Sequence, residues 1–316
     1  MRIKKNDFFI GTYIMCAIMF FIISIPSGLL DVLLAFNIAI AFIILFNALY
    51  AKEVLDMASF PTILLFTTLF RISLNVSSTK LILTNGDAGK VVETFGEFVG
   101  GGNLVIGIII FIILIIVQFV VINKGSERVS EVTARFTLDA MAGKQMAIDS
   151  DLNTGAITDK EAAERRKKLQ QENSFFGSMD GATKYVKGDA TAGLIITGIN
   201  LVGGIIMGMM YGGLSINEAL QKYTILTIGD GLCSQIPSLL ISLSTGILVT
   251  KSSSEGELGD EMVGQLFSID RVLLMVGVAL AALGILTPLP IYIFVPFGLV
   301  LVILSQKVKA KAGEAK

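Results

Sequence analysis

The chain has 316 residues, of which 53% are hydrophobic and 16% charged, and its mean hydropathy is +0.76. Such an average, combined with long uncharged runs, excludes an ordinary soluble domain. The 25 basic and 26 acidic residues nearly balance, and we expect no nucleic-acid partner. Because the sequence contains no histidine, it also excludes histidine-based proton relays, metal sites and catalytic triads.

Apolar runs recur along the chain, each about long enough for a helix to cross a hydrocarbon core of roughly 30 Å. The last two runs are joined by TPLP, whose Pro288 and Pro290 predict a tight reversal between helices. The sequence therefore predicts a polytopic α-helical membrane protein with eight transmembrane helices. These helices are expected at roughly 8–25, 29–50, 61–83, 104–122, 192–213, 224–250, 271–287 and 289–305.

Basic residues predict the orientation, because lysine and arginine favour cytoplasmic loops. They cluster at the N-terminus, in segment 123–190 with eleven of them, and in the C-terminal tail, whereas the hairpins near Pro26 and Pro288 have none. We therefore place both termini and segment 123–190 in the cytoplasm. The terminal cations are Arg2, Lys4 and Lys5, and Lys307, Lys309, Lys311 and Lys316.

Segment 123–190 is predicted to be a small cytoplasmic insert of mixed α+β structure. An amphipathic helix at 129–141 precedes two short extended pieces at 144–158, and a charged helix then opens with a Thr158–Glu161 capping box. The stretch DSDLNTG resembles a calcium loop, but its glycine is at position seven and Lys160 occupies position twelve, so a polar turn is favoured. The predicted divisions are 1–122 for spans one to four, 123–190 for the insert, 191–305 for spans five to eight, and 306–316 for the start of a cytoplasmic linker.

Span three, TILLFTTLFRISLNVSSTKLIL, carries Arg71 near its middle. An arginine at this depth costs roughly 2.5–3.5 kcal/mol on insertion scales. At 100° per residue, several polar side chains share its side of the helix, so this face must meet other helices or a wet cavity. Arg71 either holds the bundle together or lines a path for an ion or a polypeptide. The polar residues on its side are Thr67, Thr68, Asn75, Ser78 and Thr79.

Span six carries Asp230 between two glycines, followed by Gln235 and Pro237. This combination predicts a broken or kinked helix, and breaks near the membrane centre bind ions in transporters. Asp230 is therefore a candidate ion-coupling residue. The alternative is an aspartate at the membrane rim that caps the second half of the helix.

Span five contains Gly204, Gly208 and Gly212 at four-residue spacing. This small-residue face predicts close packing against another helix. Asn200 in the same span is able to bond across helices. Cys16 and Cys233 lie in apolar segments and are interpreted as packing residues, without a disulfide or zinc pattern.

Charged residues also meet where span five is expected to leave the cytoplasm. Lys184, Lys187 and Asp189 lie at this boundary, and Arg128 and Arg135 share one face of the helix after span four. They form either a salt-bridge network or a proton-coupled gate in which Asp189 accepts the proton.

Motifs for nucleotide chemistry are absent from the sequence. There is no P-loop and no dinucleotide fingerprint. We therefore predict that this chain is not an enzyme and has no cofactor and no bound metal. Any energy that it uses must come from the membrane or from a partner.

Three stretches resemble the FHIPEP family of export-gate proteins, which serve flagella and virulence type III secretion. They are FPTILLFTTLFRISLNVSSTKLIL, VINKGSERVSEVTARFTLDAMAGKQMAIDSDLNTGAITDKEA and YVKGDATAG, and the likeness covers almost all of 1–305. The resemblance implies a bacterial inner-membrane protein that forms a ring, thought to be nonameric. It also implies the use of proton motive force, with sodium as a proposed alternative, to export unfolded subunits.

Partners implied by the resemblance are other export-gate membrane proteins, a specificity-switch protein, the ATPase complex and chaperone–substrate complexes. The resemblance also implies a large cytoplasmic C-terminal domain that docks chaperones, and we expect the present sequence to correspond to the membrane domain only. We expect the flagellar branch, with the virulence branch as the alternative. A ring scaffold without ion conduction and a small-solute transporter are the competing functions. The residues that match the family motifs are Arg71, Arg128, Arg135, Lys184, Asp189 and Asp230.

Overall fold

The computed structural model describes residues 5–100, 103–251, 258–287 and 289–314, and every regular element in these ranges is helical. The chain divides into two compact units, 1–253 and 254–316. Some predictions rest on residues outside the described ranges: the reversal at Pro288 and the terminal cations Arg2, Lys4 and Lys316.

The first unit is a bundle of helices with two irregular segments. Val54–Met57 forms a 3-10 turn between the second and third helices, and Val117–Asn123 is a π-helical segment that joins α5 to α6. The helices in chain order are α1 Lys5–Ile22, α2 Ser27–Tyr50, α3 Phe60–Asn85, α4 Lys90–Gly100, α5 Leu104–Ile116, α6 Lys124–Asp139, α7 Met141–Asn153, α8 Asp159–Met210 and α9 Ile216–Thr250.

The second unit comprises α10 Leu258–Phe267, α11 Asp270–Leu286 and α12 Ile291–Glu314. Helices α11 and α12 form a hairpin whose closest approach is at two glycines. A Cβ on Gly277 would lie 2.7 Å from the carbonyl oxygen of Gly298. The Ser305 hydroxyl donates to the Asp270 carbonyl oxygen at 2.8 Å, which joins the second half of α12 to the start of α11.

Helices of membrane-crossing length account for much of the chain, so the predicted polytopic α-helical class is confirmed. The predicted number of eight spans is not confirmed. The apolar part of α1, Ile10–Ile22, and the 17-residue α11 are shorter than the other candidates. Among the described residues, six helical stretches are long and apolar enough: Ser27–Tyr50, Val54–Asn85, Leu104–Asn153, Asp159–Met210, Ile216–Thr250 and Ile291–Lys309.

The insert 123–190 is helical throughout its regular part. Helix α7 occupies the region predicted as two extended pieces, so the β part of the α+β prediction is wrong. Alanine, methionine, lysine, glutamine and leucine favour helix locally, and Ile148 of α7 packs with Ala162 and Leu169 of α8. Gly155, with φ of +74°, then reverses the chain in the predicted polar turn.

Helix α8 begins at the predicted capping box. The Thr158 hydroxyl accepts from the Glu161 backbone N–H, and the Glu161 carboxylate accepts from the Thr158 backbone N–H. The helix then continues for 52 residues, a length of about 78 Å. The predicted boundary between 190 and 191 falls inside this single helix.

Two apolar clusters form the core of the first unit. One joins α2, the start of α3, the 175–186 part of α8 and the end of α9. The other joins α1, α2, the second half of α3, α4 and the first half of α9. On α9 the two clusters are separated by a polar stretch around Pro237, and the candidate site lies at this level.

Candidate functional site

Arg71 of α3 is the largest of the fully buried side chains, with 1% of its surface exposed. Its Nε donates to Oδ2 of Asp189 at 2.7 Å, and its Nη2 donates to the same oxygen. Asp189 on α8 is 5% exposed. The two residues therefore form a buried ion pair that joins α3 to α8, which reduces the cost of placing an arginine in this bundle.

The structure buries Asp189 inside the helical bundle. The sequence placed it at a cytoplasmic boundary because the apolar run begins at 192. In the structure it faces Arg71, which lies eleven residues after Phe60, about 16 Å along the helix axis. The apolar run did not mark where α8 enters the bundle, because the part of α8 before it is buried by neighbouring helices.

The polar face of α3 is directed into the bundle, as its helical spacing predicted. Thr67, Thr68, Asn75 and Ser78 are all buried. The Thr67 hydroxyl donates to the Ile63 carbonyl oxygen at 2.9 Å, and that of Ser78 donates to the Asn75 carbonyl oxygen at 3.0 Å. These bonds within the helix satisfy the Thr67 and Ser78 hydroxyls, whereas the Thr68 hydroxyl is buried without a hydrogen-bond partner among the described residues.

A small polar cavity adjoins the ion pair. It offers about 40 Å³ to the centres of water-sized molecules, enough for a few waters. Nη1 of Arg71 is buried and has no hydrogen-bond partner among the described residues, so it is a donor available at this cavity. The lining residues include Arg71, Asn75, Gln118, Asn123, Asp189, Thr197, Ser234, Gln235 and Ser238.

Backbone irregularities surround this cavity. The π-helical segment Val117–Asn123 supplies Gln118 and Asn123, and π segments occur frequently at functional sites. Helix α9 contributes the region around Pro237, where the proline removes a backbone donor. Of the predicted alternatives, a break in α9 is not present, because the helix continues through Pro237 to Thr250; a kink at Pro237 stays a prediction.

Neighbouring side chains compensate for the irregular backbone. Gln118 Nε2 donates to the Gln235 carbonyl oxygen at 3.0 Å. The Ser242 hydroxyl donates to Oδ1 of Asn123 at 2.9 Å, and its carbonyl oxygen accepts from the Ser126 hydroxyl at 2.7 Å. These bonds join the π-helical segment and α6 to α9 on either side of Pro237.

Asp230 lies in a separate polar contact between α8 and α9. Nδ2 of Asn200 donates to its Oδ2 at 2.8 Å, and the two residues are 4% and 0% exposed. Asn200 therefore bonds across helices, as its position in span five allowed. Oδ1 of Asn200 and the Thr227 hydroxyl are buried without a hydrogen-bond partner among the described residues. Both atoms are therefore able to form a further hydrogen bond.

The other predicted charges do not join Asp189. Arg128 and Arg135 both pair with Glu131, at 2.9 and 3.6 Å, and their side chains are each 70% exposed. Lys184 pairs with Asp180 at 2.7 Å, four residues earlier on α8. Lys187 reaches Glu127 of α6 at 2.9 Å. The six candidates therefore separate into one buried pair, one buried carboxylate and a set of exposed ion pairs.

Glycines of α8 allow the predicted close packing, but at two positions only. The Tyr223 ring lies against Gly204 and Gly208, and a Cβ at either position would collide with ring carbons. Gly212 follows the end of α8, and a Cβ there would lie 2.7 Å from the Gly208 carbonyl oxygen instead.

Gln118 and Asn123 are site residues that the sequence reasoning missed. They are isolated polar residues at the end of the apolar run LVIGIIIFIILIIVQFVVIN, a signal like the one that identified Arg71.

A helical bundle that buries an ion pair and a second carboxylate between long apolar helices defines a polytopic membrane protein with a polar interior. The chain belongs to the FHIPEP family, whose family model matches residues 17–316. The resemblance found in the sequence is thereby confirmed.

Curated relatives extend this assignment. The flagellar biosynthesis protein FlhA of Bacillus subtilis is 54% identical over 275 residues, which cover 87% of this chain and 41% of the relative. FlhA of Salmonella typhimurium is 52% identical over 281 residues, which again cover 87% of this chain and 41% of the relative. The low calcium response locus protein D of Yersinia pestis is 47% identical over 293 residues, which cover 92% of this chain and 42% of the relative. The chain thus spans about two fifths of these relatives' length. No solved structure matches it.

Proposed function

We propose that this chain is the membrane part of a flagellar protein-export gate that couples ion movement across the membrane to the export of unfolded subunits. The observation that carries this proposal is the buried Arg71–Asp189 pair beside a polar cavity in the bundle. Similarity to proteins named for flagellar biosynthesis supports the flagellar assignment.

The coupling step would be protonation of Asp189. A neutral Asp189 no longer attracts the Arg71 guanidinium, so the contact between α3 and α8 weakens. Losing one partner of a buried pair costs about 3–5 kcal/mol, whereas one charge crossing 100 mV supplies about 2.3 kcal/mol. One proton per event is therefore insufficient at that potential, and several protons, or several subunits of a ring, would act together.

Asp230 would be the second coupling carboxylate. It accepts a hydrogen bond from Asn200 of α8, and the buried oxygens Oδ1 of Asn200 and Oγ1 of Thr227, one turn before Asp230 on α9, have no hydrogen-bond partner among the described residues. An oxygen-rich site of this kind suits a hard cation as well as a proton. Sodium is therefore the alternative coupling ion, and Asp230 is the residue at which the two ions would compete.

The cellular setting follows from the same proposal. The protein would lie in the bacterial inner membrane with both termini and α6–α7 in the cytoplasm. It would form a homo-oligomeric ring, nonameric by family resemblance, and contact other export-gate membrane proteins. The ATPase complex and chaperone–substrate complexes would dock mainly on a C-terminal cytoplasmic domain of the full-length protein.

The test compares three variants of the full-length protein: Asp189→Asn, Arg71→Gln and the double variant. Secretion and ring assembly are measured in the same cells at several external pH values and sodium concentrations. Each single variant leaves one buried group unpaired, whereas the double variant removes both charges. We expect the double variant to assemble as the wild type does and to export nothing.

A ring scaffold is the competing function, because a buried ion pair also holds helices together. A scaffold predicts that the double variant recovers both assembly and export. Recovery of export would therefore overturn the coupling role. At the second carboxylate, the wild type and Asp230→Asn are compared with and without added sodium, and a sodium dependence of export that is lost in the variant identifies sodium as the ion coupled there.

The virulence branch is the second candidate assignment. The Yersinia pestis relative is 47% identical over 92% of this chain, not far below the flagellar relatives. Complementation of a flagellar export-gate deletion by the full-length protein, scored by motility, would support the flagellar assignment. Restoration of virulence-type secretion alone would contradict it.

A further inference from the structure

A second cavity lies where α9 ends, apart from the Arg71–Asp189 site. It offers about 470 Å³ to the centres of water-sized molecules, a volume typical of small-ligand sites. Helices α6, α7 and α8, the end of α9 and the loop after α2 enclose it. Its lining includes Glu53, Leu55, Thr133, Thr137, Lys144, Glu172, Phe176, Val249, Thr250 and Lys251.

Lys251 is the unusual residue in this lining. It is only 6% exposed, and its Nζ is buried without a hydrogen-bond partner among the described residues. Its backbone N–H donates to the Leu248 carbonyl oxygen at 3.4 Å, which places the residue just after the last turn of α9. An ammonium group removed from water without a partner is costly, so this position favours an anion that the lysine could bind.

The acidic groups around the cavity are already engaged. Glu53 pairs with Lys168 at 2.7 Å, and Glu172 pairs with Lys144 at 3.3 Å. The Asp56 carboxylate accepts from the backbone N–H groups of Lys52 and Glu53 at 2.8 and 2.9 Å. Asp56 is close enough to interact electrostatically with Lys251, but it forms no salt bridge with it. Among the charged residues that line the cavity, Lys251 is therefore the one that forms neither a salt bridge nor a hydrogen bond through its side chain with a described residue.

Two threonines line the same cavity. Thr133 and Thr137 lie one turn apart on α6. Together with Lys251, which follows the end of α9, they supply one ammonium and two hydroxyl groups. A phosphate group has enough oxygens to accept from all three, and lysine binds phosphate as a point charge.

The cavity lies at one end of the apolar bundle. Helix α2 ends at Tyr50, α3 begins at Phe60 and α9 ends at Thr250, and all three end points are near the lining residues. The side chain of Tyr50 is 63% exposed, as expected for an aromatic residue at a membrane–water interface. Phospholipid headgroups, which carry phosphate, lie at such interfaces.

We propose that this cavity binds a phosphate group through Lys251, Thr133 and Thr137. The group comes from a phospholipid headgroup or from free phosphate. Binding would tie the end of α9 to α6 and so connect the bundle to the helical insert. This site is independent of the ion pair on which the proposed function rests.

The test uses the full-length protein purified in an uncharged detergent. Native mass spectrometry measures retention of phosphatidylglycerol, and a thermal shift at constant ionic strength measures binding of inorganic phosphate. We expect Lys251→Gln to weaken whichever interaction is present about ten-fold. The matched control, Lys52→Gln, removes an exposed cation from the neighbouring loop and should bind as the wild type does.

The two binding measurements distinguish a phospholipid headgroup from free phosphate as the source of the bound phosphate group. Lipid retention that is lost in Lys251→Gln, with no response to inorganic phosphate, identifies a headgroup site. A phosphate-dependent shift lost in the same variant identifies free phosphate. If Lys251→Gln does not fold, Thr133→Val with Thr137→Val keeps the charge and should still weaken binding. Equal binding by the wild type and these variants, or binding of neither probe, would overturn the proposal and leave Lys251 as a cation that only stabilises the carbonyl end of α9.

Discussion

Asn200 of α8 donates a hydrogen bond of 2.8 Å to Asp230 of α9, and both side chains are buried. The bond fixes the two helices at one level, and a few residues further along α8 the Tyr223 ring of α9 fills the space over Gly204 and Gly208. The same helix thus contributes a polar and an apolar contact to one interface, and the two contacts make separate predictions.

Replacing Asn200 by alanine should destabilise the protein by about 1–3 kcal/mol, because Asp230 is left buried without its donor. The double variant Asn200→Ala/Asp230→Ala should recover part of this loss. Thermal unfolding is measured by thiol labelling of the buried Cys233, with the exposed Cys16 replaced by serine. An Asn200→Ala protein as stable as the wild type would show that the bond contributes nothing.

Gly204→Ala should be destabilising by about 1–3 kcal/mol, because its Cβ would overlap the Tyr223 ring. The matched control is Gly198→Ala on the same helix, where a Cβ meets no atom within 4 Å. That control should stabilise the helix slightly, by up to about 1 kcal/mol. Thermal unfolding distinguishes the two variants, and equal effects would contradict the packing described for Tyr223.

Asp31 of α2 should control the order of α4. Its carboxylate accepts from the backbone N–H groups of Lys90 and Val91 at 3.0 and 2.9 Å, which caps that helix from a neighbour. Asp31→Ala should cost about 0.5–2 kcal/mol and speed hydrogen exchange of the amides in α4. Glu93→Gln, an exposed change on the same helix, is the control and should leave exchange unchanged.

Arg71 and Arg128 should differ sharply in their effect on stability. Arg71→Gln leaves Asp189 as an unpaired buried charge and should cost about 3–5 kcal/mol. Arg128→Gln removes an exposed pair and should stay within about 0.5 kcal/mol of the wild type. Thermal unfolding of both variants checks this difference. A comparable loss for Arg128→Gln would mean that its pairing with Glu131 is far stronger than its exposure implies.

Much of the site could be predicted from local pattern, but its pairings could not. The polar side of α3 follows from helical spacing, and the start of α8 follows from the Thr158–Glu161 capping box. The partner of Arg71 lies 118 residues away in sequence, and nothing local distinguishes Asp189 from Asp230 as that partner. Tertiary packing decides this, since only the crossing of α3 and α8 sets which carboxylate meets the guanidinium.

Tertiary packing also explains why the predictions for segment 144–158 and for a break in α9 differ from the structure. Segment 144–158 contains polar residues and a turn signal, but its apolar side chains pack on α8, and that contact stabilises helix over extended chain. In α9, Gly229 and Gly231 suggested a break, whereas the structure uses them for close approach. A Cβ on Gly229 would collide with the Val92 carbonyl oxygen, and one on Gly231 would collide with the Phe111 ring. These glycines make room for neighbours and do not interrupt the helix.

Because α8 is continuous, a movement of the helix at the Arg71–Asp189 pair would also displace residues far from that pair. Asp189 lies 30 residues after Asp159 in one uninterrupted helix, so about 45 Å of rigid rod separates the ion pair from the capped start. A tilt of about 5° at the pair would move that start by about 4 Å. The start of α8 is joined to α7 by the Arg165–Asp151 and Arg166–Asp149 salt bridges, so α7 would move together with it. A change of tilt at the ion pair would therefore be transmitted to the start of α8 and to α7, about 45 Å away.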